Sequence, residues 1–172
     1  MNTSLVITVL AEDRPGIVSS LSEVLRKHHA NWMESKMSRL AGKFAGLLHV
    51  SVAAEYVEPL KRALQALQSN EMLIQVEESE SATDSAIDTP VLTLEILGQD
   101  RPGIIKDITS QLATLNVNIE EISSEQRVAS MSNEVLFFAE LSLLLPATVE
   151  PEDVQDALEA MSDQLMVDLN FS

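Results

Sequence analysis

Three observations predict an α+β chain of two tandem ferredoxin-like βαββαβ domains, each a four-stranded antiparallel sheet with two helices on one face. First, Asp-Arg-Pro-Gly-Ile occurs at Asp13–Ile17 and again at Asp100–Ile104, 87 residues later. Second, the same shift carries Leu5, Ile7 and Val9 onto Leu92, Leu94 and Ile96, and Ile17, Val18, Leu21 and Leu25 onto Ile104, Ile105, Ile108 and Leu112. Asn31 falls on Asn118 in the same way. Agreement at alternating and helical spacings alike marks a duplicated domain, not a solenoid of short repeats. Third, each half runs through the same order of periodicities.

The alternation of Leu5, Ile7 and Val9, and of Leu92, Leu94 and Ile96, gives a first strand with one buried face. Pro15 and Pro102 stand where a helix should begin, since proline pre-sets φ and its missing N–H is not needed there. The helical stripe that follows ends near His28 and Leu115. Two strand-like segments come next, 31–40 with 43–54 and 118–129 with 133–145. Ala41-Gly42 suits a tight hairpin, and the second copy needs about four further residues in its connection.

A second helix carries Val57, Leu60, Leu64 and Leu67 in one half, and Val154, Leu158 and Met161 in the other. Pro59 and Pro151 are expected in or just before its first turn. Glu55, Glu58, Glu150, Glu152 and Asp153 crowd that end, where carboxylates complement the helix dipole. Met72, Ile74 and Val76 form one closing strand, and Leu165, Val167, Leu169 and Phe171 the other. The intervening Glu77–Thr89 is acidic, rich in Ser and Thr, and reads as a linker. The expected organisation is a first domain at 1–78, a linker at 79–89 and a second domain at 90–172.

Composition excludes several functions. The chain has no cysteine, so it makes no disulfide and no thiolate metal site. The opening MNTSLVITVLAEDRPG lacks the basic flank and cleavage site of a signal peptide, so a cytoplasmic protein with no membrane partner is expected. The net charge of −16 disfavours direct nucleic-acid binding, which needs clustered Lys and Arg. That charge is uneven: residues 1–86 carry 8 basic and 11 acidic side chains, residues 87–172 carry 3 and 16.

His28 and His29 are sequence neighbours that point apart, and His49 is remote, so no metal site is expected. Ser19, Ser20, Ser123 and Ser124 have no base at nucleophile spacing, and Glu120 and Glu121 face opposite sides of a strand. Trp32 and Met33 read as packing or interface residues. Neither a catalytic constellation nor a cofactor site is predicted.

The strand–turn–helix junction is the one motif with a chemical rationale. Gly16 and Gly103 have no Cβ and so leave room for a ligand, while free N–H groups at a helix start receive a carboxylate. Valine at either glycine is therefore expected to remove ligand response more than stability, and more so in the less acidic first copy. Pro15 and Pro102 stiffen the junction, and Arg14 and Arg101 either add a charge-assisted contact or remain solvated. The competing reading is a plain turn in which Asp13 and Asp100 bond nearby backbone N–H groups.

A βαββαβ unit with D-R-P-G-I at its first turn resembles the ACT domain, a small-molecule sensing module of amino-acid metabolism. The resemblance implies an amino-acid ligand at the interface of paired domains, held by the first turn and the start of the second strand. The implied ligand-binding positions are Asp13, Arg14, Pro15, Gly16, Ile17 and Asn31, with Asp100, Arg101, Pro102, Gly103, Ile104 and Asn118. A tandem pair of such domains resembles regulators that sense glycine and repress through contact with a DNA-binding activator protein. A homodimer is expected as well, because each sheet leaves one face bare, the alternative being that the two domains of one chain cover each other. The alternatives are a ligand-free interaction or dimerisation module, or a regulator of another amino-acid or one-carbon pathway.

Overall fold

The computed structural model describes residues 1–69, 71–79, 91–161, 163 and 165–171. They form two compact units. The first contains β1 (Asn2–Glu12), α1 (Ile17–Lys27), β2 (Asn31–Leu40), β3 (Lys43–Ala53), α2 (Ala54–Leu67) and β4 (Met72–Ser79). The second repeats the order with β5 (Val91–Gln99), α3 (Ile104–Thr114), β6 (Asn118–Val128), β7 (Val135–Leu144), α4 (Pro151–Glu159) and β8 (Leu165–Phe171). Strand orders are β2-β3-β1-β4 and β6-β7-β5-β8, with every pair antiparallel. Each is thus a pair of interleaved split βαβ units.

Alternation decides which face is covered. Leu5, Ile7 and Val9 are buried in one cluster with Leu21, Leu25, Leu60 and Leu64 of the helices. Leu92, Leu94 and Ile96 pack in the same way with Ile108, Leu112, Val154 and Leu158. The residues between them point to the other face, where Leu10 pairs with Leu73 and Ala45. The matching row in the second unit is Met166–Leu97–Phe138. Leu10, Leu73 and Met166 are exposed.

Several details differ from the sequence expectation. Gly16 and Gly103 are the N-caps, so helices start at Ile17 and Ile104 and the prolines lie in the preceding turn. Val18 and Ile105 do not join the core. They are both 43% exposed, because one residue past the inward position rotates about 100° around the helix. Pro59 lies inside α2, beyond its first turn, because that helix begins directly after β3. Pro151 does open α4, where the Glu150 amide donates to Asp153 Oδ2 at 2.9 Å.

The second hairpin is also longer than expected. Leu40 pairs with Lys43, whereas its counterpart Arg127 pairs with Leu136, which gives six extra residues where about four were expected. The acidic run after Val76 begins inside β4, and Glu78 accepts from Lys61 Nζ at 2.5 Å. That hydrogen bond holds the Lys61 ammonium above its ordinary pKa. Residues 80–90, which hold most of the expected linker, lie outside the described residues.

Gly46 in β3 faces β2 at close range. A Cβ there would stand 2.5 Å from Met37 Cγ and 2.7 Å from the Lys36 carbonyl oxygen. The methionine can swing aside, but the backbone oxygen cannot. Gly46→Ala should therefore push β2 outward and cost about 1–3 kcal/mol, read as a lower urea midpoint.

Candidate functional site

The first turn is fastened to the neighbouring hairpin in both units. The Asp13 amide donates to the Gly42 carbonyl at 3.0 Å, and the Asp100 amide to the Val135 carbonyl at 3.1 Å. The carboxylates reach side chains near the ends of the edge strands instead of nearby backbone N–H groups. Arg39 Nη1 donates to Asp13 Oδ2 at 3.1 Å, and Gln126 Nε2 donates to Asp100 Oδ2 at 2.6 Å. Arg39 and Gln126 are equivalent positions under the 87-residue shift.

Both turn arginines are ion-paired. Arg14 Nη1 lies 2.9 Å from Glu71 Oε2, and Arg101 Nη2 lies 2.7 Å from Asp107 Oδ2. All four side chains are exposed by 40% or more, so solvent screens both pairs and each contributes little stability.

Gly16 and Gly103 have φ of +93° and +84°, a left-handed conformation that side-chain-bearing residues rarely adopt. Beyond its own chain neighbours, no heavy atom lies within 4 Å of a Cβ built on either glycine. Their conformation, then, is what requires glycine, and the open space in front is available to a ligand. Neither helix start has a side-chain cap hydrogen bond. The first amides of α1 and α3 have no intrahelical partner by geometry, although the Ile104 amide makes a long 3.4 Å contact to the Arg101 carbonyl.

The expected site residues do not all converge. Asn31 and Asn118 open β2 and β6, while Arg39 and Gln126, which touch the turn aspartates, lie near the far ends of those strands. At about 3.3 Å per residue the asparagines stand roughly 26 Å from the turn of their own domain. Their side chains bond locally, Asn31 to Met33 Sδ at 3.2 Å and Asn118 to Glu120 Oε1 at 3.0 Å.

In the second unit the turn opens onto a cavity of about 410 Å³. Asp100, Arg101, Gly103, Ile104 and Ile105 line it from the turn and α3. Ser124, Glu125 and Gln126 line it from β6, and Phe137 from β7. The β6 and β7 contributors were not anticipated from the motif. The shared shift that pairs Gln126 with Arg39 was the signal available for one of them.

Folding also brings together Ser4, His49 and Glu34, which are far apart in the chain. Ser4 Oγ and His49 Nε2 are 2.5 Å apart, while His49 Nδ1 is 3.9 Å from Glu34 Oε1. That second separation exceeds hydrogen-bond reach, so Glu34 does not fix the imidazole as a relay would require. Among the described residues no group of three His, Cys, Asp or Glu side chains is arranged to hold a metal ion. No described helix is long and apolar enough to cross a membrane.

Two βαββαβ units with this turn define a chain of tandem small regulatory domains. The chain belongs to the ACT domain family, which residues 3–79 and 91–172 both match. It is 21% identical over 161 residues to the glycine cleavage system transcriptional repressor of Escherichia coli (strain K12), spanning 94% of this chain and 85% of that protein. The protein of the same name from Shigella flexneri matches equally. A crystal structure of a protein of unknown role from Galdieria sulphuraria superposes with a TM-score of 0.85 at 27% identity, covering 100% of this chain and 99% of that one. The crystal structure of a proposed glycine cleavage system transcriptional repressor gives 0.75 at 19% identity, covering 100% and 98%.

Proposed function

We propose that this protein is a cytoplasmic, non-enzymatic regulator that senses an amino acid, glycine first among candidates, at its first turns. It would act by protein contact with a DNA-binding activator, as a negative transcriptional regulator of the glycine cleavage system. The observation that carries this is the first turn itself: five identical residues in both copies, bound to the hairpin through Asp13 and Asp100, with space in front of Gly16 and Gly103. The similarity to the E. coli repressor supports the choice of pathway and partner.

In this reading the ligand contacts the turns at Asp13–Ile17 and Asp100–Ile104. Asn31 and Asn118 would reach a ligand only from the β2-type strand of a second ACT domain, since each stands far from its own turn. A homodimer fits the apolar rows left bare on both sheets. The rival reading is a ligand-free interaction module. It is favoured by the positive φ of both glycines, which gives the turn a structural reason to keep its sequence.

Thermal unfolding of the full chain against a panel of amino acids separates the two. A ligand that binds only the folded state, present at 100 times its Kd, stabilises by about 2.7 kcal/mol, so a dose-dependent rise in Tm with glycine is expected. A flat response across the panel favours the interaction module. Because of the −16 charge, the purified protein alone should not shift operator DNA in a gel at physiological salt.

A further inference from the structure

We propose that the cavity at the second turn takes the ammonium group of a primary amine or amino acid on Asp100, and that residue 126 determines this specificity. The inference rests on the sensing role proposed above and adds which copy binds and which end of the ligand it recognises. In the first unit, charges around the turn are matched one for one. Arg14 holds Glu71, Arg39 holds Asp13, and Lys43 holds Glu12. An incoming ammonium would have to displace the Arg39 guanidinium from Asp13.

The second unit is built differently at the equivalent places. Gln99 replaces Glu12, Leu136 replaces Lys43, and Gln126 replaces Arg39. Arg101 is matched by Asp107 and Glu125 by Arg127, and Asp100 is held by a neutral amide where Asp13 is held by a guanidinium. A carboxylate has room for about four acceptor contacts, and Gln126 supplies one. Asp100 lines the 410 Å³ cavity together with Ser124, a further polar group, and with Ile104, Ile105 and Phe137, which would cover the carbon skeleton. Counted over halves of the chain, charge favours carboxylate binding in the first copy. Counted at the turn, the balance gives the second copy the ammonium site.

The test titrates the ¹⁵N-labelled full chain with glycine, ethylamine and acetate. The parent should respond to glycine and ethylamine at the amides of 100–105 and 124–126, and acetate should leave these unmoved. Gln126→Arg, on an exposed edge strand, and Asp100→Asn should each weaken that response about tenfold or more, a change of about 1.4 kcal/mol. Arg39→Gln should create an ethylamine response at the first turn, and Gln126→Glu should retain the one at the second. Urea midpoints near the parent's for all four variants would separate recognition from folding. If glycine binds with an affinity indifferent to residues 100 and 126, this inference falls and the sensing role stands. If no amino acid or amine binds the parent, both fall together.

Discussion

Leu48→Ala in the first unit and Leu141→Ala in the second should each lower stability by about 2–5 kcal/mol, the largest effects expected from single truncations. Both leucines are fully buried at equivalent places on the third strand of their domain. Leu48 is opposite Ile7 of β1, and Leu141 is opposite Leu94 of β5. Each is surrounded by aliphatic side chains locked between sheet and helices, so little can move in to fill the space. The first substitution should be visible in the fluorescence of Trp32, the single tryptophan, which packs against the first core. An unchanged urea midpoint for either variant would mean that the leucine is not packed in the core at that place.

Gly16→Val and Gly103→Val should also be strongly destabilising, by about 1–3 kcal/mol. At φ of +93° and +84° any Cβ is strained, and a β-branched side chain is the least tolerant. The expectation that valine would remove ligand response at little cost in stability therefore changes. Asparagine, which tolerates the left-handed region, should recover most of the midpoint. Its response to glycine then reads the ligand's need for open space without the confounding loss of fold. Near-parental midpoints for both valine variants would contradict the backbone geometry.

The duplicated turn and the two periodicities made the fold readable, because each element buries its own regular stripe. Leu5, Ile7 and Val9 could alternate into a core only as a strand, and the shift onto Leu92, Leu94 and Ile96 fixed the copy number. Helix starts were harder to place. Pro15 and Pro102 satisfy the rule for a first helical position, but the left-handed Gly16 and Gly103 interpose a turn that only φ reveals. The length of the second hairpin was obscured because residues 129–134 carry no periodicity, and only strand register counts them.

The site was legible in part. The motif located the turn, but nothing local to it indicated that its aspartates would bond to Arg39 and Gln126, 26 residues downstream. That contact arises because the first and second strands of each unit finish at the same end of the sheet, on either side of the third strand. The same topology places Asn31 and Asn118 at the opposite end, which a list of motif residues cannot express.

Hydrogen exchange on the full chain with saturating glycine tests most directly whether the first turns are a ligand site. Slowed exchange is expected at the turn and first helical amides, Gly103–Ile105 above all, with the strand cores unchanged. Identical exchange with and without glycine, or protection confined to segments remote from both turns, would contradict it.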